Sequence, residues 1–79
     1  MIRHGKKQYS LTMASNVVRD GVGLEIEEIG QPSNFAEVFF HDESGEMTIS
    51  TFGKDFPLAV IEELIALAKT RLPPLTDGT

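Results

Sequence analysis

The fold is decided by residues 9–27, which read YSLTMASNVVRDGVGLEIE. On both sides of the Asp20-Gly21 pair, apolar side chains alternate with small or polar ones, and this period of two is typical of strands with one buried face. An Asp-Gly pair between two such runs favours a type I′ hairpin, whose two central residues both need positive φ. The stretch therefore predicts two antiparallel strands joined by a tight turn at Asp20-Gly21.

The register that follows from this turn pairs Val17 with Leu24. Continued outward, it brings Met13 opposite Glu28, so that an apolar side chain shares a face with a charged one. One extra residue in the second strand places Ile29 opposite Met13 instead. The pattern therefore predicts a β-bulge near residues 27 and 28.

Two more strands and a helix follow. Residues 35–41 are rich in aromatic and β-branched side chains, and residues 46–52 alternate again after a turn at 42–45. Residues 56–72 carry apolar side chains over about half of a helical circumference, which suits a helix lying across a sheet. Asp55 is the expected N-cap of this helix, and two prolines after residue 72 stop it.

The simplest architecture is an α+β fold in which one C-terminal helix packs on one face of a four-stranded antiparallel meander, in the order ββββα. Residues 1–7 are expected to be a basic N-terminal tail, residues 8–73 a single domain, and residues 74–79 a C-terminal tail. The predicted core consists of Leu11, Met13, Val17, Leu24, Ile26, Val38, Phe40, Met47, Ile49, Ile61, Leu64, Ile65 and Ala68.

The composition excludes several classes of protein. A chain of 79 residues without cysteine has neither a disulfide framework nor a thiolate metal site, and this favours a reducing, cytoplasmic setting. No apolar run reaches the roughly 18–20 residues of a membrane span. The basic N-terminus has no apolar stretch after it, so a signal peptide is not expected.

The sequence also lacks a recognisable catalytic constellation. His4 lies in the basic tail, and His41 stands beside Asp42 and Glu43 at a strand end, where consecutive side chains point to opposite faces and do not converge on a metal. No serine has a base and an oxyanion donor arranged around it. We therefore expect a non-enzymatic protein with no cofactor and no metal.

Charge is distributed unevenly along the chain. Residues 20–68 hold eleven acidic residues and a single basic one, Lys54, whereas residues 1–19 hold four basic residues and no acid. A field of that sign repels a phosphate backbone, so direct binding to nucleic acid is disfavoured, and a basic protein surface is attracted instead.

The acids are expected on the sheet face that the helix leaves uncovered. If Val38 and Phe40 point into the core, Phe35 and Phe39 lie on this face beside several carboxylates; the opposite phase would bury these two phenylalanines instead. Exposed aromatics next to uncompensated acids are typical of an interface. The candidate partner-binding residues are Glu25, Glu27, Phe35, Glu37, Phe39, Asp42, Glu43 and Glu46.

Three interpretations of that face stay open. The first is a protein-binding module that blocks the basic, nucleic-acid-binding surface of a partner, as inhibitors of nucleases, CRISPR effectors and toxins do, phage-encoded inhibitors and toxin-immunity proteins included. The second is a homodimer or larger oligomer, structural or accessory in role, that buries the aromatic face, an edge strand or the helix in self-association. In the third, the basic residues Arg3, Lys6 and Lys7 fold over the face and neutralise its acids internally.

Overall fold

The alternating runs of the sequence form strands of one curled antiparallel sheet, and the run near the C-terminus forms a helix. A computed structural model describes residues 1–72, and the expected tail 74–79 lies outside them. The sheet has the order β1-β2-β3-β4-β5 and curls into a half-barrel. Its elements are β1 (Ile2–His4), β2 (Lys7–Asn16), β3 (Gly21–Glu28), β4 (Gln31–His41), β5 (Met47–Ser50) and the helix α1 (Leu58–Arg71).

The α+β class and the C-terminal helix are confirmed, but the meander has five strands rather than four. The additional strand is β1, which lies within the segment 1–7 that was expected to be a tail. It pairs with β2 through a two-residue turn in which Gly5 has a φ of 60°. Ile2 is fully buried opposite Tyr9, so β1 contributes to the core.

The prediction of a tight turn at Asp20-Gly21 is wrong. The structure pairs Ser15 with Val22 and Met13 with Leu24, and residues 17–20 form a four-residue connection in which only Asp20 has positive φ. The amide of Arg19 donates a hydrogen bond to the Asn16 side chain at 3.0 Å, which closes this longer turn.

The longer turn also removes the need for a bulge between β2 and β3. Met13 already faces Leu24, and the β2–β3 ladder runs without interruption from Tyr9 to Asn16. A register shift does occur between Glu27 and Glu28, but on the other side of β3, in its pairing with β4.

Directly opposed residues in neighbouring strands share a face, so the register assigns each side chain to a side of the sheet. Val38 and Phe40 lie on the side of the helix, as predicted, in line with Leu24 and Val22. The helix contributes one buried stripe, one residue per turn, to the core. This core consists of Ile2, Tyr9, Val22, Leu24, Ile26, Ala36, Val38, Val60, Leu64, Ala68 and Leu72.

The helix covers less of the sheet than its apolar stripe suggested. It packs against β1, β3 and β4, and within residues 1–72 it makes no comparable contact with β5. Its first residue follows Pro57, and Asp55 makes no capping hydrogen bond. Five of the predicted core residues are exposed instead: Met13, Val17, Met47, Ile49 and Ile65. Met47, Ile49 and Ile65 are exposed because the helix is displaced from β5, whereas Val17 lies in the β2–β3 turn and Met13 lies on β2, which α1 does not pack against either.

Replacing Ile2 by alanine tests whether β1 belongs to the folded unit. We expect Ile2→Ala to lower the free energy of unfolding by about 2–4 kcal/mol, since a fully buried isoleucine is lost and a cavity remains. The neighbouring exposed Arg3→Ala serves as the control and should change stability by less than about 0.5 kcal/mol. Urea unfolding followed by circular dichroism measures both, and equal stabilities would show that β1 is dispensable.

Candidate functional site

The sheet side turned away from α1, here called the outer face, carries the predicted acids and aromatics. Its register places Glu27 opposite Phe35, Glu25 opposite Glu37 and Gly23 opposite Phe39. Five of the eight candidate partner-binding residues therefore lie side by side on two neighbouring strands, β3 and β4.

Glu25 and Glu37 form a pair of like charges directly across the two strands. Like charges in this position destabilise a sheet by roughly 0.2–1 kcal/mol. Burial of the side chain, and then the carboxylates of Glu37 and Glu27, raise the pKa of Glu25, and the guanidinium of Arg19 opposes this shift. The protein thus holds a strained group of carboxylates at the middle of its sheet.

Arg19 relieves part of this strain. Its Nη1 donates a hydrogen bond to Glu37 Oε1 at 2.8 Å, and its guanidinium carbon lies 3.8 Å from the centre of the Phe39 ring. The cation is attracted both by the face of the aromatic ring and by the carboxylate beside it. The side chain of Arg19 therefore ties the β2–β3 turn down onto the outer face.

The Phe39 ring packs against the backbone of β3, where glycines provide no side chain. A Cβ atom on Gly21 would lie 2.6 Å from Phe39 Cε2 and closer still to the Phe40 carbonyl oxygen, so this position needs glycine for the ring to approach. A Cβ atom on Gly23 would lie 3.2 Å from Phe39 Cδ1 and closer still to Glu37 Oε2, so glycine there makes room mainly for the carboxylate. As a result Phe39 is only 1% exposed and Glu37 only 8%. The expectation that these two residues are exposed contacts is wrong, because Arg19 and the glycines bury them.

The basic N-terminal segment does not neutralise the acids of the outer face. Lys7 Nζ lies 4.0 Å from Oε1 of Glu28, a residue on the helix side of the sheet that also accepts a hydrogen bond from Asn34. The compensating cation is Arg19, which sequence reasoning missed. A signal for it was available, because Arg19 is the only basic residue between residues 8 and 53.

Two phenylalanines border the acids at the other end of the outer face. The rings of Phe35 and Phe52 lie 4.6 Å apart, with Phe35 half-buried opposite Glu27 and Phe52 exposed after β5. Together, Glu25, Glu27, Phe35 and Phe52 form what we call the acidic face.

The remaining candidates, Asp42, Glu43 and Glu46, lie apart from the acidic face. They are exposed in the β4–β5 connection, where the Asp42 amide donates a hydrogen bond to the carbonyl of Asp20 at 3.0 Å. This acidic loop therefore stands beside the β2–β3 turn, at the opposite end of β4 from Phe35. The eight predicted residues form two groups rather than one.

The histidine at the end of β4 contacts neighbouring side chains of the sheet and not a cluster of metal ligands. His41 Nε2 lies 3.0 Å from Thr48 Oγ1, and its ring meets the Phe39 ring edge-on at 4.9 Å between centres. Among residues 1–72, no three histidine or acidic side chains converge as metal ligands would. The helix in this part of the chain is too short and too polar to cross a bilayer.

Comparisons of the chain with protein-family models, with curated proteins and with solved structures find no match. What the protein does must therefore be inferred from its own geometry.

Removing the charge of Glu25 is expected to stabilise the protein. Above the raised pKa of Glu25 the carboxylate is ionised beside Glu37 and Glu27, so Glu25→Gln should increase the free energy of unfolding at neutral pH by about 0.2–1 kcal/mol. The native state binds the proton more tightly than the unfolded state. The gain should therefore shrink as the pH falls through the folded pKa and disappear below the ordinary glutamate value.

Urea unfolding at a series of pH values measures this gain. Glu63→Gln, on the exposed side of α1, is the control and should show no comparable dependence. A stabilisation by Glu25→Gln that is equal at all pH values would contradict the electrostatic explanation.

The contact between Arg19 and Glu37 is testable by a double-mutant cycle. Arg19→Ala should lower stability by about 1–3 kcal/mol, because it leaves the buried carboxylate of Glu37 without its partner. In the Arg19→Ala background, Glu37→Gln should restore part of that loss, since the amide carries no charge. Additive effects in chemical denaturation would show that the two side chains are not coupled.

Proposed function

We propose that this chain is a non-enzymatic protein-binding module that presents its acidic face to a basic surface of another protein. The observation that carries the proposal is the opposed Glu25–Glu37 pair, extended by Glu27 along β3, with Arg19 as its contacting cation. A sheet without a need for charge there would gain stability from neutral residues at these positions. Retention of the strained carboxylates is explained if a partner's cations complete their neutralisation.

The geometry of the acidic face suits a basic groove. Glu25 and Glu27 lie two residues apart on the same side of β3, about 6.8 Å along the strand, so their carboxylates form a row. A row of negative groups on an extended backbone imitates the charge pattern of a nucleic-acid strand. We therefore propose inhibition of a nucleic-acid-binding protein, such as a nuclease, a CRISPR effector or a toxin, by occupation of its basic site.

The half-buried Phe35 and the exposed Phe52 together support a protein as the partner of the acidic face. Aromatic side chains at the centre of an interface supply much of its binding energy, whereas surrounding charges direct the encounter and set its salt dependence. Phe52 is 53% exposed next to the ring of Phe35, so this pair is an apolar anchor beside the acids.

A pair of charge-matched variants tests the proposal. Glu25→Gln/Glu27→Gln removes two charges from the acidic face, and Glu62→Gln/Glu63→Gln removes two exposed charges from α1. Native lysate is passed over the parent and both variants at low salt and eluted with a salt step. We expect the parent and the helix variant to retain the same basic protein, and the acidic-face variant to lose it.

The function of the retained protein provides the second measurement. The parent chain should displace labelled nucleic acid from it, and the affinity of the chain should fall as salt is added. Equal retention by both variants would contradict the proposal, and so would a partner that keeps its nucleic acid when the chain is bound. Equal retention would make the acids a contribution to solubility alone, whereas a partner that keeps its nucleic acid would show that the chain does not occupy its basic site.

A further inference from the structure

The two edges of the sheet are built differently. Strand β1, at one edge, carries Arg3 and His4, whereas strand β5, at the other, reads MTIS and has neither a charge nor a proline. Natural proteins protect sheet edges with charged residues, prolines or bulges, because an unpaired edge accepts another strand. The β5 edge is short, but its four residues include no charge, proline or bulge.

An apolar groove runs beside this edge. It has a volume of about 220 Å³ and lies between β5 and α1, where Val38, Met47, Ile49, Ile65 and Ala68 line it together with Lys69. Met47 is 37% exposed and Ile49 is 43% exposed on the helix side of the sheet. The groove exists because α1 packs against β1, β3 and β4 instead of β5.

We propose that β5 pairs with β5 of a second copy of this chain, antiparallel and about a two-fold axis perpendicular to the sheet. Directly opposed residues must share a face, and we place Met47 and Ile49 of one copy opposite Ile49 and Met47 of the other, because this register pairs all four apolar side chains. This register places Thr48 opposite its own equivalent on the axis. The result is a continuous ten-stranded sheet with both helices on one side, and the added strand covers the open side of each groove.

The charges beside β5 favour a second copy as the occupant. Asp42, Glu43 and Glu46 precede β5 and Lys54 follows it. Antiparallel pairing brings the chain after β5 in one copy alongside the chain before β5 in the other, so Lys54 approaches the acidic loop. The outer-face residues at the junction, Thr48 and Ser50, are neutral and do not oppose the approach.

This inference goes beyond the proposed function, since β5 is separate from the row formed by Glu25 and Glu27. The two proposals are nevertheless compatible. The two-fold axis places both acidic faces on the same side of the assembly, so a dimer presents two rows of carboxylates to a partner.

Sedimentation velocity over a dilution series tests the dimer with two matched variants. Ile49→Lys places a charge in the middle of the proposed contact, and Met13→Lys places the same charge at a residue 45% exposed on the same side of β2. We expect the parent and Met13→Lys to form dimers, including in about 0.5 M NaCl, because backbone pairing and apolar contacts are not screened. Ile49→Lys should raise the dissociation constant at least about tenfold, since it buries an unpaired charge. Far-ultraviolet circular dichroism verifies that each variant is folded.

Cross-linking tests the register separately. The chain has no cysteine, so Thr48→Cys introduces a single thiol at the axis. Directly opposed Cα atoms of an antiparallel pair are about 4.5–5.5 Å apart, which is within the range of Cα separations that a disulfide spans. Under mild oxidation this variant should form covalent dimers much faster than Thr12→Cys, which lies exposed on the same outer face of β2.

Three results would overturn the inference. A parent that stays monomeric at all concentrations would show that no second copy occupies β5, and would leave the edge to a strand of another protein or to solvent. A dimer unaffected by Ile49→Lys would place the interface elsewhere. Equal cross-linking of Thr48→Cys and Thr12→Cys would exclude the proposed register. None of these results bears on whether the acidic face retains a basic partner.

Discussion

The guanidinium of Arg19 lies between the ring of Phe39 and the carboxylate of Glu37, and the organisation of the outer face depends on this contact. It buries a phenylalanine that would otherwise be exposed and neutralises a carboxylate that faces Glu25 across the ladder. It also holds the β2–β3 turn against β4. Because one cation serves two neighbouring acids, part of the negative charge stays uncompensated, and that remainder is the basis of the proposed binding of a basic partner.

The protein offers surfaces of two different kinds on one small sheet. The acidic face works through charge, and its strength falls with added salt, whereas the β5 edge offers backbone groups and an apolar groove whose contacts persist in salt. Both arise from the placement of α1. A single helix covers one side of a five-stranded sheet incompletely, so the outer face and the β5 end remain available. The core of the protein is small, and residues that contact a partner do not stabilise the monomer. Apolar residues on these surfaces therefore reduce what is available for the stability of the monomer.

Much of the candidate site was predictable because a strand alternates with a period of two. Once Val38 faced the core, Glu37 and Phe39 had to face outward, and the register placed them beside Glu25 and Gly23. Whether those side chains were accessible was not predictable in the same way. Their burial depends on Arg19, which lies in the four-residue turn that replaces the predicted two-residue turn. The separation of Asp42, Glu43 and Glu46 from the other acids likewise follows from the length of β4, not from their proximity in sequence.

The sequence by itself determined the class of the fold, the position of the helix along the chain and the side of the sheet on which the residues of β2, β3 and β5 lie, because all three follow from local periodicity and turn residues. It left the phase of β4 open, and the tertiary structure decided that Val38 and Phe40 lie on the helix side. Only the tertiary structure decided that Ile2–His4 forms a strand, since three residues form a stable strand only when a neighbour and a core receive them. The tertiary structure also decided that α1 leaves β5 uncovered. That outcome depends on how a whole helix packs on a curled sheet, and no single segment contains this information.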